Sequence, residues 1–258
     1  MCVDRWFLIA STLLAAVAGV RGLLILRHGN KSHWTVWWMV GVLLGQMGYL
    51  AARGEMRGAC PLRSIAEISI FLAWSLTVFY LFVGPVYRIS LLGVFTAPVV
   101  VIFQGLALLP GGLDYIPERV IRTTFWGETH SAMSVLAYGA LALAAVAGVM
   151  FLVLDRQLKE QHLKGGLFRN LPPVRELLVS LERLLWLGMI LLTVGIVAGI
   201  LMPHETAGAW KHVFVAVGVW GSYVALMVVK RVRGITGRKF ALGAVALFVL
   251  SLGVFAFV

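Results

Sequence analysis

Apolar residues along the chain gather in long runs, separated by charged residues and by breaks rich in proline or glycine. A helix needs about 20 apolar residues to cross the ~30 Å hydrocarbon layer of a membrane. Runs of this length predict eight transmembrane helices, at approximately 6–26, 34–51, 65–86, 89–109, 130–154, 177–202, 211–229 and 240–258. The fold class predicted is therefore all-α, a polytopic integral membrane helix bundle with residues 1–258 in a single membrane domain.

Composition supports this interpretation. Hydrophobic residues make up 60% of the 258 residues, charged residues make up 13%, and the mean hydropathy is +0.93. These values lie outside the range of soluble globular domains. The pattern therefore indicates a multi-pass protein whose immediate partner is the lipid bilayer.

The basic residues are distributed unequally between the two sides of the predicted bundle. The loops after the odd-numbered helices hold thirteen, namely Arg27, Lys31, Arg88, Arg156, Lys159, Lys164, Arg169, Arg175, Lys230, Arg231, Arg233, Arg238 and Lys239. The other side holds seven, namely Arg5, Arg53, Arg57, Arg63, Arg119, Arg122 and Lys211. Cytoplasmic loops carry the excess of Lys and Arg, so both termini are predicted outside. The net charge of +11 then reports topology, and no nucleic-acid partner is expected.

Other function classes find little support in the sequence. No phosphate-binding glycine loop, Ser/His/Asp set or metal-ligand cluster occurs, so no enzymatic activity of the chain's own is expected. Cys2 and Cys60 form no CxxC or CxxCH pair, and both lie near the predicted outer face. Whether these two cysteines pair stays open.

Three polar residues are predicted in the outer half of the membrane. Glu67 lies one turn into the third predicted helix, and Gln46 and Gln104 lie toward the outer ends of the second and fourth. Polar groups inside a membrane are costly, so their shared depth points to a polar cluster near the outer face.

Histidines are also predicted near the outer face of the membrane. In WGETHSAMSVLAY, His130 opens the fifth predicted helix, and Ser134 and Tyr138 follow it on one face at spacings of four and eight residues. His212 opens the seventh predicted helix, directly after the loop MPHETAGAW, which contains His204.

Two interpretations fit these histidines. Each caps a helix start or lies in the interfacial belt, as His often does. Alternatively, His130 and His212, at the level of Glu67 and flanked by Trp126 and Trp210, offer imidazole ligands and aromatic walls to a flat macrocycle.

Three sequence blocks resemble the cytochrome c assembly proteins of the CcsA/ResC superfamily. CPLRSIAEISIFLAWS is similar to the signature PL-x-N-L-x-E-S-L-x-F-x-x-W, with matches at Pro61, Leu62, Glu67, Phe71 and Trp74. HSAMSVLAYGALALAAVAGVMFLVLDRQLK resembles the family's H-x-x-x-x-x-x-A-Y-x-x-F helix. LERLLWLGMILLTVGIVAGIL resembles its L-x-x-L-x-x-x-G-F-x-x-L-T-x-G-x-x-x-G helix. The resemblance covers about residues 58–258.

Within this family, the length and the eight predicted helices resemble the short HemX/YpjD-like branch more than the larger CcsA and ResC proteins. The tryptophan-rich WWD motif of the CcsA branch is missing, since LMPHETAGAWKHVF contains only Trp210. GVFAFV likewise lacks the second outer haem-ligand histidine of that branch. His130 matches the family's outer ligand, and His212 matches a histidine of the short branch.

The resemblance implies a haem-handling protein that presents or relays haem at the outer face of the bacterial inner membrane during cytochrome c assembly. Haem b would be bound without a covalent bond, and other maturation subunits or an apocytochrome would be its partners. The iron would take His130 and His212 as tentative metal ligands, with His204 as an alternative to His212. The implied cofactor-binding set is completed by Glu67, Trp126, Trp210, Tyr138, Arg119 and Arg122, the two arginines as partners of the propionates.

Two alternatives remain. The chain could be a membrane regulator or scaffold, as the HemX name implies for tetrapyrrole biosynthesis, acting through the basic cytoplasmic loop 155–175 without haem transfer. A transporter is less well supported, because the predicted helices contain few charges and no pair of broken helices in corresponding halves.

The unequal distribution of basic residues makes topology testable. A reporter fused after Val258 should respond as an outside domain, and one inserted near Gly165 as a cytoplasmic domain. Paired alkaline phosphatase and fluorescent-protein fusions would measure both positions. A cytoplasmic carboxyl terminus would also contradict the site prediction, because His130 and His212 would then face the cytoplasm.

Overall fold

A computed structural model describes residues 3–28, 34–62, 64–86, 92–109, 124–159, 174–202 and 209–253. These residues form eight helices, namely α1 (Val3–His28), α2 (Trp34–Arg57), α3 (Ile65–Val86), α4 (Leu92–Ala107), α5 (Phe125–Lys159), α6 (Val174–Leu201), α7 (Ala209–Arg233) and α8 (Gly237–Ser251). The all-α class predicted from the sequence is confirmed.

Six of these helices are long and apolar enough to cross a membrane, namely α1, α2, α3, α5, α6 and α7. Within the described residues α4 has 16 residues and α8 has 15. Large apolar side chains such as Trp37, Leu44, Phe82 and Phe214 are exposed along the helices, as expected for a lipid-facing surface. The chain is thus a multi-pass membrane protein, and eight crossings stay a prediction.

Several helices extend past the apolar runs that predicted them, whereas α4 (Leu92–Ala107) is shorter than the predicted run 89–109. α3 has the predicted bounds, but α2 continues to Arg57 and α5 begins at Phe125. Hydropathy indicates where the hydrocarbon layer begins. A helix can continue beyond it into the membrane–water interface, because its hydrogen bonds lie within its own backbone. His130 therefore lies in the second turn of α5, and the prediction that it opens the helix is wrong.

The described helices group into two compact units. The first comprises residues 1–121 with 156–176, and the second comprises residues 122–155 with 177–258. The sequence-based expectation of one membrane domain stays a prediction.

The first unit is built from α1 to α4. α1 packs against α2 and α4, and α3 packs against α4 and α2. α1 and α2 approach closely at two glycines, since a Cβ atom added to Gly45 would lie 2.9 Å from the Cβ of Ser11, and one added to Gly48 would lie 2.9 Å from the ring of Phe7. Small residues of this kind let helix backbones come together in membranes.

A buried ion pair joins α1 to α2. The Nε atom of Arg53 lies 2.8 Å from Oδ2 of Asp4, and their side chains are only 5% and 2% exposed. The guanidinium of Arg53 also lies over the ring of Tyr49, at 5.7 Å from its centroid. The sequence analysis placed Arg53 in an outer loop, but α2 is longer than predicted and includes it. The buried guanidinium needs Asp4 as its partner, because an unpaired buried charge is strongly destabilising.

The second unit is built from α5 to α8. Alanine and glycine line much of the buried face of α5, and a Cβ atom added to Gly188 of α6 would lie 2.7 Å from Leu141 of α5. α7 is fixed to α6 by a hydrogen bond from Nε1 of Trp220 to Oγ1 of Thr193, 3.0 Å.

The carboxyl-terminal end of α7 is fixed to α6 by an ion pair. Nζ of Lys230 lies 2.6 Å from Oε2 of Glu182 and also lies over the ring of Phe240, 4.1 Å from its centroid. α7 and α8 are then joined by a three-residue turn, in which Gly234 has a φ of 58°, a left-handed conformation that favours glycine.

Glu67 belongs to a capping box at the start of α3. The backbone N–H of Ser64 donates to Oε2 of Glu67 at 3.3 Å, and the backbone N–H of Glu67 donates to Oγ of Ser64 at 3.1 Å. The pattern S-x-x-E in SIAE is the sequence signature of this motif. Glu67 therefore closes the end of its own helix.

Replacement of Glu67 should distinguish the contribution of its capping hydrogen bonds to stability from the contribution of its charge. We expect Glu67→Gln to keep the stability of the wild type, since Gln also serves in a capping box, and Glu67→Leu to cost about 0.5–2 kcal/mol. Thermal unfolding in detergent is the measurement, with the exposed Glu55→Leu as the control. Equal stability of Glu67→Leu and wild type would contradict a capping role.

Candidate functional site

His130 belongs to a line of polar and aromatic residues on α5. Trp126, His130, Ser134 and Tyr138 follow one another at intervals of four residues, which places them on neighbouring turns of one face. Exposure falls along the line, from 41% at Trp126 through a half-buried His130 to 4% at Tyr138. The line thus passes from an accessible end of the helix into the core of the second unit.

The His130 ring is oriented by the backbone of α6. Its Nδ1 atom lies 2.8 Å from the carbonyl oxygen of Gly195. A carbonyl oxygen only accepts, so Nδ1 must carry the proton and donate it. In the neutral ring, Nε2 then has a free lone pair, and among the residues that the structure describes it makes no hydrogen bond.

Two glycines of α6 create the space for this arrangement. A Cβ atom added to Gly199 would lie 2.7 Å from Nδ1 of His130 and 3.0 Å from its Cε1. One added to Gly195 would lie 2.8 Å from Oγ of Ser134. The shortest distance at each glycine, 2.7 Å at Gly199 and 2.8 Å at Gly195, is shorter than real Cβ contacts. Gly195 and Gly199 therefore form a glycine seat for His130 and Ser134. We use that name for these two residues below.

Tyr138 anchors the inner end of the line. Its hydroxyl donates to the carbonyl oxygen of Ser251 on α8 at 3.3 Å. The Ser251 hydroxyl donates in turn to the carbonyl oxygen of Phe248, 2.8 Å away. This contact connects α5 to α8 beneath the histidine and makes Tyr138 a supporting residue, two turns from His130.

The remaining predicted site residues are placed only in part. His212 and Trp210 lie in the first turn of α7, with side chains outside the described set. His204, Arg119 and Arg122 lie outside the described residues. Glu67 belongs to the first unit, where it is 1% exposed and bound to Ser64.

Sequence reasoning missed the glycine seat, although the signal was present. The block TVGIVAG contains Gly195 and Gly199 at the G-x-x-x-G spacing that brings membrane helices together. What the spacing alone does not reveal is which helix, and which side chain, the glycines face.

Among the described residues, no three His, Cys, Asp or Glu side chains gather where they could hold a metal. Haem brings most of the ligands of its iron with it and takes only axial ligands from the protein, for which one free imidazole nitrogen is a frequent choice.

Comparison with known proteins places this arrangement in context. The family model described as Cytochrome C assembly protein matches residues 62–257, in agreement with the family that the sequence resembles. Cytochrome c biogenesis protein CcsA of Gloeobacter violaceus is 26% identical over 272 residues, covering 82% of this chain and 80% of that protein. The protein of the same name from Thermosynechococcus vestitus is 28% identical over 236 residues, covering 74% and 73%. That from Arabidopsis thaliana is 25% identical over 262 residues, covering 81% and 79%.

The glycine seat can be tested without any ligand. Gly199→Ala should destabilise the protein by about 1–3 kcal/mol, because the added methyl group overpacks the contact with His130. Thermal unfolding in detergent measures the effect. Gly221→Ala on α7 is the matched control, since an added Cβ meets nothing within 4 Å there. It should leave stability unchanged or raise it by about 0.5–1 kcal/mol. The same response of both variants would argue against the seat.

Proposed function

The chain belongs to the cytochrome c assembly protein family, and on this basis we propose that it is a haem-handling membrane protein of cytochrome c biogenesis. It binds haem at the outer face of the membrane and presents or relays it to a partner. The two steps of this proposal have different support. The role in cytochrome c biogenesis is inferred from the names of the relatives, and haem binding is inferred from the chemistry of His130.

The observation on which haem binding depends is the hydrogen bond from Nδ1 of His130 to Gly195. Histidines that bind metals usually donate their other ring N–H to a carbonyl or a carboxylate, which fixes both tautomer and ring orientation. His130 has this arrangement. Its Nε2 lone pair is therefore available as an axial ligand of haem iron, without a change of tautomer.

The surroundings of His130 fit an amphipathic macrocycle. Trp126, one turn toward the helix end, is 41% exposed and presents an aromatic surface. Tyr138, by contrast, is held by Ser251 in the core, which favours a supporting role over ligand contact. In this proposal His130 would hold the iron, Trp126 would offer an aromatic surface to the ring, and the glycine seat would hold the imidazole. The haem would supply the iron chemistry, and the chain would supply binding and orientation.

His212 is the proposed second axial ligand, with His204 as the alternative, and Arg119 and Arg122 are the proposed partners of the propionates. Haem b held in this way has no covalent bond to the chain. The support for these assignments is the sequence pattern around the loop before α7 and its resemblance to the short HemX/YpjD-like branch.

The missing WWD motif bears on the scope of the activity. Without this tryptophan-rich platform, the chain is better suited to hold and pass on haem than to complete cytochrome c synthesis by itself. We therefore propose that the thioether step takes place on another maturation subunit and that this chain has no enzymatic activity of its own. The bacterial inner membrane, with both termini outside, is the proposed location.

Absorbance of the purified protein tests the haem proposal. We expect a Soret band in the wild type, and loss of this band or its conversion to a five-coordinate form in His130→Ala. Added imidazole should partly restore the wild-type spectrum by filling the vacated axial position. Thr129→Ala is the control, because the Thr129 hydroxyl donates only to the carbonyl oxygen of Phe125 in its own helix.

Two results would contradict the proposal. A His130→Ala variant with the spectrum of the wild type would show that iron takes its ligands elsewhere. A folded wild type that neither contains haem nor binds added haem would favour the alternative function, a HemX-like regulator or scaffold of tetrapyrrole biosynthesis.

A further inference from the structure

The first unit contains a line of buried polar side chains that the proposed haem site does not use. On α2, Gln46, Tyr49 and Arg53 lie on the buried face, and Ser11 of α1 and Gln104 of α4 are also fully buried. We call these five residues, with Asp4, the polar seam. From Val42, which Ser11 contacts, to Arg53, the seam spans about 16 Å at 1.5 Å per residue. That is about half of the ~30 Å hydrocarbon layer.

Gln46 is the least satisfied member of the seam. Its side chain is fully buried, and neither its amide nitrogen nor its amide oxygen has a hydrogen-bond partner among the described residues. A buried polar group left in this state is destabilising, because it has lost its hydrogen bonds to water without replacement. The cost of each group is greater within a bilayer, where lipid offers no partner.

The orientation of Gln104 is fixed by a short chain of hydrogen bonds. The Ser11 hydroxyl donates to the carbonyl oxygen of Val42 at 3.1 Å, which uses its one proton. Ser11 must therefore accept from Gln104, whose Nε2 lies 2.7 Å away. The other end of the Gln104 amide, Oε1, is then turned away from Ser11 and has no hydrogen-bond partner in the part of the chain that the structure describes.

The polar atoms without hydrogen-bond partners define which molecule could bind in the polar seam. The Oε1 atoms of Gln46 and Gln104 only accept, so an occupant must donate at least two hydrogen bonds. Nε2 of Gln46 only donates, so the occupant must also accept. The Tyr49 hydroxyl lies beside Arg53, which can only donate, and its own proton has no acceptor among the described residues, so Tyr49 can donate to the occupant. The ion pair between Asp4 and Arg53 is internally compensated, so it does not call for a charged occupant.

We propose that the polar seam is an internal water site, in which ordered water molecules bridge Gln46, Gln104 and Tyr49 within the membrane-embedded part of the first unit. Water is the smallest molecule with two donors and two acceptors, and buried waters typically make about three hydrogen bonds to otherwise unsatisfied groups. The site extends from the buried ion pair toward the middle of the bilayer. It thus gives the four-helix unit a hydrated interior beside its lipid-facing surface.

Hydroxyl-radical footprinting by X-ray radiolysis in detergent tests the site, because radicals formed from bound water oxidise the side chains next to it even when these are buried. Tyr49 is the reporter. Tyr80 of α3, in the same unit, is the matched control, since it is 1% exposed against 0% for Tyr49 and its hydroxyl also has no hydrogen-bond partner among the described residues. A Cβ atom on Gly93 would overlap the Tyr80 hydroxyl, which indicates close packing around that hydroxyl. We expect Tyr49 to be oxidised several-fold faster than Tyr80.

Variants give an independent comparison. Gln46→Leu should lower the oxidation of Tyr49 toward that of Tyr80, and Leu44→Met, at a position 63% exposed on the same helix, should leave it unchanged. Equal oxidation of Tyr49 and Tyr80 in the wild type would overturn the proposal, even if Gln46→Leu failed to fold. Unchanged oxidation of Tyr49 in a folded Gln46→Leu variant would also overturn it.

Discussion

Hydrocarbon offers no hydrogen bonds, so each polar atom along these helices has to find its partner inside the protein. The simplest solution is local. The hydroxyls of Ser75, Thr77 and Thr96 each donate to a backbone carbonyl four residues earlier in the same helix, at 2.8–2.9 Å. His130 follows the same rule across helices, because its partner is also a backbone carbonyl. The ion pairs of Asp4 with Arg53 and of Glu182 with Lys230 extend the rule to charged groups.

Most of the fold was predictable from the alternation of apolar runs and charged breaks. The bounds of α3 agree with the prediction, and the other helices differ mainly where they continue into more polar sequence. Arg53 illustrates the limit. Hydropathy treats an arginine after an apolar run as a loop residue, whereas a helix can retain it when an acid on a neighbouring helix is in reach. Asp4 provides that acid, but nothing in the sequence pairs positions 4 and 53.

The candidate site was predictable in its central residue and less so in its surroundings. His130, Ser134 and Tyr138 lie on one face of α5, as their spacing indicated. The prediction for Glu67 did not include its capping box with Ser64, although the S-x-x-E pattern is the local signal of that motif. The Gly195 carbonyl could not have been predicted, since a backbone acceptor leaves no trace in residue identity. Helix pairing, which decides that contact, depends on packing between segments far apart in the chain.

The contact between His130 and Gly199 also limits how the two positions could have diverged. A larger residue at 199 would displace the imidazole, whereas a smaller residue at 130 would remove the reason for a glycine at 199. Substitutions at the two positions are therefore coupled, and their order matters: the histidine would be lost first, and only afterwards could the glycine drift to alanine or serine. Ancestral lineages would carry a record of that order. A homologue with a glycine at 199 but no histidine at 130 would have lost the site recently. A homologue in which both residues are replaced would have lost it long ago.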